Sequence, residues 1–321
     1  MSNVNIKRAV ENIKSSTTVY TPIIEVIVNA IQAIESKNGN TQGEVKVIVK
    51  RSPEQELDNS VPSVIGIDVI DNGIGFTDEN RNSFDTLYSD LKAVQGGKGF
   101  GRFTCLKYFG GLQVESVFES SDQMMSRSFA MGTGQEIIVN EQTSVSNHPF
   151  TFSKITLSSL IKNDSINKKL STIAANLAEK LLPYFITKDY VCPLITLSEE
   201  DGTEAIILND YVNDASGNIK ELKLNENTFL LGQNGSQCSF EIRAFKIYAP
   251  KNHSSKISLV AHKREVTETS IQDYVPEFAD EFYEKNKDGS NDTTRNFIIK
   301  TYVFGDLDVT RFPRQLRTSN L

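Results

Sequence analysis

Three short runs carry residue types whose spacing suits the handling of a phosphorylated ligand. Glu25, Asn29, Gln32 and Ser36 fall at i, i+4, i+7 and i+11, one polar stripe along a helix read over residues 22–37. A carboxylate one turn before an amide places both groups over a ligand. The carboxylate can orient or deprotonate a water, and the amide oxygen can coordinate a hard cation such as magnesium. The second run is Asp71-Asn72-Gly73-Ile74-Gly75-Phe76, directly after an apolar stretch. Its two glycines let the backbone approach a flat ligand, and its carboxylate can accept a hydrogen bond from an exocyclic amine such as that of adenine. The third is Gly96-Gly97-Lys98-Gly99-Phe100-Gly101, which runs into a helix read from Arg102 to Phe109. A glycine-rich loop opening a helix offers backbone N–H groups to phosphate oxygens, and Lys98 adds a point charge.

Each run has a plainer reading by itself. An acid near a helix start is favoured by the macrodipole, Asp-Asn-Gly is a common turn, and glycines serve in flexible linkers. Other phosphate-binding patterns fail on specific residues. A P-loop needs Ser or Thr after Gly97-Lys98, where Gly99 stands. A dinucleotide fingerprint needs a third glycine where Asp78 stands, inside a βαβ unit that is not present in the pattern. A protein-kinase reading lacks its His-Arg-Asp loop.

The elements that must position these groups can be read from periodicity. Ile24, Ile27, Val28, Ile31 and Ile34 form the apolar face of the helix over 22–37, with Thr21 as its N-cap, Pro22 in its first turn and Asn38-Gly39 as its stop. Val45, Val47 and Val49 alternate with Lys46 and Lys50, a strand with one polar face. Residues 64–70 read as a central strand, 82–93 as a short helix, and 112–118, 126–131, 136–140 and 153–157 as strands. Helices followed by a mostly antiparallel sheet predict an α+β fold, a two-layer α/β sandwich. A second long helix is read over 166–188. Strand-like runs after Pro193, among them Phe240–Tyr248, Lys256–Ala261 and Phe297–Phe304, predict a second α+β domain. We place the domains at 1–165 and 166–321.

In order and spacing, Glu-x-x-x-Asn-Ala-x-x-Ala, Asp-x-Gly-x-Gly and a glycine-rich lid together resemble the GHKL ATPase superfamily. That group includes gyrase B-type topoisomerases, the ninety-kilodalton heat-shock chaperone, histidine kinases and MutL, with MORC proteins as relatives. The resemblance covers about residues 20–160. It implies a Bergerat-type ATP-binding domain and ATP with Mg2+ as cofactors. Position by position it implies Glu25 as the base that activates water, Asn29 as the magnesium ligand and Asp71 as the adenine-reading carboxylate beside Gly73 and Gly75. Gly97, Lys98, Gly99, Phe100 and Gly101 become the phosphate-contacting lid. The family's Gly-Thr pair on a later strand matches Phe152-Ser153, where Ser153 keeps the hydroxyl and Phe152 replaces the glycine.

Glu25 favours the hydrolysing branch, since histidine kinases of this group generally lack a water-activating Glu of this kind, and none of His148, His253 and His262 lies in an upstream helix suited to phosphotransfer. The resemblance then implies a transducer-like second domain, a conformational switch by lid closure, and a homodimer on ATP binding. Leu307-Asp308-Val309-Thr310-Arg311-Phe312 is similar to the chaperone's arginine loop and makes Arg311 a candidate for the γ-phosphate, with Lys263 or Arg264 as rivals. The stretch around Gly97–Thr104 is also similar to bacterial GHKL proteins suspected in phage defence. Those chains are longer, so a further domain or an effector protein is an expected partner. Two other readings stand beside the lead: a non-hydrolysing ATP-sensing scaffold, and the ATPase module of a MutL/MORC-like DNA-remodelling or defence protein.

Composition limits these choices. The chain of 321 residues is 38% hydrophobic, with a formal charge of −7. Its acidic balance counts against a dedicated nucleic-acid binder, leaving Arg102 with Lys107, and Arg311, Arg314 and Arg317, as the basic clusters. Cys105, Cys192 and Cys238 are sparse and odd in number, which fits a reducing compartment and no disulfide framework. The histidines and cysteines are not at zinc spacing. With no apolar run of membrane-spanning length and no signal core, the expected location is cytoplasmic.

Overall fold

A computed structural model describes residues 6–11, 13, 17–37, 43–54, 61–86, 101–161, 166–213, 218–233, 236–248 and 254–305. The chain divides into two compact units, Met1–Leu181 with Val191–Asn209 and Leu182–Tyr190 with Asp210–Leu321.

The first unit is built on an eight-stranded sheet. Its strands are β1 (Glu44–Arg51), β2 (Val64–Asp71), β3 (Phe109–Ser120), β4 (Gln123–Met131), β5 (Ile138–Val145), β6 (Phe152–Leu160), β7 (Leu194–Glu199) and β8 (Ala205–Ile207). Their order is β5-β4-β3-β6-β2-β1-β7-β8. Every neighbouring pair is antiparallel except β1 with β7. The helices are α1 (Ile6–Glu11), α2 (Tyr20–Glu35), α3 (Asp78–Asp85) and α4 (Gly101–Tyr108), and α5 (Leu170–Ile186) begins in this unit and ends in the second.

The two faces of the sheet differ in chemistry. Val45, Val47 and Val49 lie opposite Asp71, Val69 and Ile67, and all six are buried. The alternate positions carry charges. Lys50 pairs with Asp68 at 3.0 Å, and Lys154 lies 3.7 Å from both Asp68 and Glu115, a ladder over β1, β2, β6 and β3. An apolar face must be covered and a charged one need not be. The helices supply the cover: α2 buries Ile23, Val26, Ile27, Ala30 and Ile31. This is the expected two-layer α+β sandwich.

Helix boundaries differ from the sequence reading for identifiable reasons. Helix α2 starts at Tyr20, so Thr21 lies inside it, and the Thr21 hydroxyl accepts instead from the Thr18 N–H at 3.1 Å. It ends at Glu35, where the Ser36 hydroxyl folds back to the Gln32 carbonyl at 2.8 Å. Helix α3 starts earlier than residue 82 because Thr77 caps it, its hydroxyl accepting from the Asn80 N–H at 3.2 Å, with Asp78 and Glu79 in the first turn.

The second unit holds β9 (Ile219–Leu222), β10 (Thr228–Gln233), β11 (Ser236–Tyr248), β12 (Lys256–Ala261), β13 (Arg264–Ser270), β14 (Phe282–Lys285) and β15 (Asn291–Gly305), with the short helix α6 (Asp210–Asn213). The order is β10-β11-β15-β12-β13, with β9 on β11 and β14 on β15. Phe245, Ile247, Val260, Ile298 and Tyr302 are buried there. Lys300 is 1% exposed and ion-paired with Glu265 at 3.2 Å and Glu268 at 3.1 Å. No helix among the described residues is long and apolar enough to cross a membrane.

Candidate functional site

One row of the sheet is polar on the face that should be apolar. Arg127 of β4 lies opposite Ser116 of β3, Ser116 opposite Ser153 of β6, and Ser153 opposite Asp71 of β2. Directly opposed residues share a face, and Asp71 shares its face with Val45 on the helix side. All four are nearly fully buried.

The chain leaving β2 crosses above this row and is tied down at almost every residue. The Asp71 carboxylate accepts from the Gly73 N–H at 2.9 Å, and the buried Thr151 hydroxyl donates to the Gly73 carbonyl at 2.6 Å. The Asn72 side-chain oxygen accepts from the Glu44 N–H at 2.9 Å. The Phe76 N–H donates to the Ser116 hydroxyl at 2.8 Å, which itself donates to the Phe152 carbonyl at 2.7 Å. Arg127 donates to the Phe76 carbonyl at 2.7 Å and to the Asp78 carboxylate, and its guanidinium lies 4.5 Å from the centre of the Phe118 ring. Arg81 binds Glu141 alongside and holds that carboxyl below the usual range.

Both glycines of this turn are demanded by space. A Cβ on Gly73 would lie 2.6 Å from the Ala33 backbone. A Cβ on Gly75 would lie 2.2 Å from the Val117 carbonyl oxygen, and Gly75 has a φ of +80°. The turn is thus pressed against helix α2 at one end and β3 at the other.

The contact at Ala33 links the turn to the helix stripe. Glu25, Asn29 and Ala33 are spaced by one turn each, so they follow one line along α2, and the Ile74 N–H donates to the Ala33 carbonyl at 3.1 Å. Glu25 is half-buried and Asn29 exposed. Glu25 also lies near α4. Burial first, and then the charge of Glu25, pushes the Cys105 thiol up to about 12. Helix α4 is the one that Gly101 opens. Gln32, expected on the polar stripe, is instead turned inward and 8% exposed.

Asp71, Gly73, Gly75 and Ser153 therefore meet at one place, beside the helix that carries Glu25 and Asn29. Gly97, Lys98, Gly99, Phe100 and Arg311 lie outside the described residues. Arg102 and Lys107, expected as a basic cluster, are committed to internal ties. Arg102 donates to the Ser83 and Thr86 carbonyls at 3.3 and 2.7 Å, and burial lowers its guanidinium to about 10. Lys107 donates to the Thr17 hydroxyl at 2.8 Å. The sequence reading missed Ser116, Arg127 and Thr151. Nothing in their local pattern marks them, since strand pairing alone brings them under the turn. Among the described residues no group of three or more His, Cys, Asp or Glu could hold a metal by itself.

No family model matches the chain, and no curated protein matches it in sequence. Solved structures do match in fold. The N-terminal domain of a DNA repair protein aligns over 94% of this chain and 87% of its own, at 11% identity and a TM-score of 0.50. The 43K ATPase domain of Thermus thermophilus gyrase B, in complex with an aminocoumarin, aligns over 89% and 75% at 14% identity and a TM-score of 0.42. The ATPase region of Saccharomyces cerevisiae topoisomerase II aligns over 89% and 73% at 12% identity and a TM-score of 0.45. The first of these carries the fold assignment: the chain shares the fold of that repair protein's N-terminal domain.

Proposed function

We propose that this chain, folded as a GHKL-type domain, binds ATP over the Asp71 turn and hydrolyses it. The observation that carries the reading is the turn itself. A buried carboxylate ends a central strand, its own Gly73 N–H holds one oxygen, and two glycines stand where no Cβ fits. A carboxylate fixed in this way is set to accept from the adenine amine, a charge-assisted hydrogen bond worth about 1.5–3 kcal/mol. Ser153, opposite Asp71, places a hydroxyl beside the same edge.

Glu25 is the group suited to take a proton from the attacking water. A magnesium ion keeps several waters and takes few protein ligands. The residues present fit an ion that arrives with the nucleotide, since Asn29 would give one amide oxygen and the phosphates and water the rest. Bound in this way, magnesium supplies charge neutralisation to the phosphate oxygens. Gly97, Lys98, Gly99, Phe100 and Gly101 are assigned to the phosphates, and Arg311 to the γ-phosphate. We assign the cycle the role of a switch. ATP closes the glycine-rich segment and pairs two copies of the chain, and hydrolysis releases them.

The test is steady-state ATP hydrolysis with magnesium by the wild type and Glu25→Ala, with nucleotide binding measured on both. The reading expects turnover to fall by about 100-fold or more in the variant, the scale of a lost general base, while binding persists. Binding in both proteins with turnover in neither would reduce the chain to a nucleotide sensor. Equal turnover in both would remove Glu25 from the chemistry.

A further inference from the structure

The second unit contains a cavity of about 370 Å³ that the nucleotide reading does not use. Its floor is apolar, from Ile186, Val260 and Phe304, and the Tyr190 ring forms one wall. Its rim is basic. Lys188 and His262 are exposed, and Lys263 is half-buried with its ammonium 4.1 Å from the centre of the Tyr190 ring. Among the described residues the side chains of Lys188 and His262 have no hydrogen-bond or ion-pair partner. Glu241 contributes one carboxylate to the lining. Arg243 is matched separately by Glu221 at 2.6 Å. The lining thus carries Lys188, His262 and Lys263 against the carboxylate of Glu241, with Asp189 next to Lys188 on its loop.

The backbone that presents these cations is left-handed, as it also is at Ser121-Asp122 between β3 and β4. His262 and Lys263 form the two-residue connection between β12 and β13, with φ of 50° and 61°. Such a hairpin turn prefers Asn-Gly, because both central residues are left-handed. Asp189, between Lys188 and Tyr190 on the facing loop, has a φ of 57°. Two tight loops thus present Lys188, His262 and Lys263 to one cavity.

We propose that this cavity binds a small organic anion whose aromatic or apolar body lies on Ile186, Val260, Phe304 and Tyr190 while its phosphate or carboxylate group is held by Lys188 and Lys263. The volume lies in the range of small-molecule sites, and an apolar floor with a few convergent charges is their usual composition. A phosphate monoester and a carboxylate on one aromatic body share this chemistry, and the test separates them.

Phenyl phosphate, benzoate and inorganic phosphate are titrated into the full chain, with binding read by calorimetry and by ligand-observed NMR. The proteins are the wild type, Lys188→Ala with Lys263→Gly, Lys263→Arg, and Asp71→Asn. Lys263→Gly removes the ammonium and suits the left-handed backbone, and circular dichroism checks that each variant is folded. An aromatic anion is expected to bind the wild type and Asp71→Asn equally, and the double variant about tenfold or more weaker, as the loss of charge-assisted contacts requires. Lys263→Arg is expected to retain binding, inorganic phosphate alone to bind more weakly than phenyl phosphate, and the better of phenyl phosphate and benzoate to name the acid group. Binding that survives in the double variant, that is lost in Asp71→Asn, or that is absent for both aromatic anions would overturn the proposal.

Discussion

The turn after β2 and the hairpin between β12 and β13 both bend the chain through left-handed backbone, and they do it in opposite ways. The first uses glycine where a side chain has no room: Gly75 at φ +80° stands against the Val117 carbonyl. The second uses His262 and Lys263, where the backbone alone would favour glycine. In the first turn the missing side chains let the backbone fit between α2 and β3. In the second the retained side chains border a cavity. Glycine in one and its absence in the other are both informative, but only the first leaves a pattern that can be recognised from sequence.

The comparison can be broken most decisively at Gly75. Gly75→Ala adds a Cβ 2.2 Å from a backbone oxygen at a left-handed position, so unfolding by urea should show a loss of about 3 kcal/mol or more. A loss under about 1 kcal/mol would mean that the turn is not wedged against β3. Next comes the anchoring of the same turn. Thr151→Val removes the hydroxyl that donates to the Gly73 carbonyl and leaves a buried acceptor without it, at a cost of about 1–3 kcal/mol. The smallest effect belongs to the hairpin. Lys263→Gly relieves about 1 kcal/mol of left-handed strain. It also loses the contact with Tyr190 and frees the unfolded chain, so stability should stay within about 0.5 kcal/mol of the wild type. Glycine forbidden as alanine at one turn and tolerated in place of lysine at the other is the asymmetry expected.

What could be read in advance follows the same division. The helix carrying Glu25 and Asn29, the strands at Val45 and Val64, and the Asp-x-Gly-x-Gly turn were legible because periodicity and glycine are local signals. The alternation at Lys46 and Lys50 also foretold the charged face that makes the sandwich two-layered. The row Arg127, Ser116, Ser153 and Asp71 was legible only at Asp71 and Ser153, the two neighbours that match a family pattern. Ser116 and Arg127 are brought in by pairing between distant strands, and serine or arginine within a strand has no distinctive spacing. The strand β13 was missed for a related reason. Its preceding turn, His262-Lys263, lacks the Asn-Gly that announces a hairpin. Gln32 was assigned to the polar stripe and is buried, because helix spacing gives a face but not which neighbour will cover it.

The central claim is that the Asp71 turn seats the base of ATP. Calorimetric titration of ATP into the wild type and Asp71→Asn, both shown by thermal unfolding to be folded, tests it most directly. The account predicts binding by the wild type and a loss of about 10- to 100-fold in the variant, the equivalent of one charge-assisted hydrogen bond. Equal affinity in the two proteins would contradict it and place the nucleotide, if it binds at all, somewhere other than this turn.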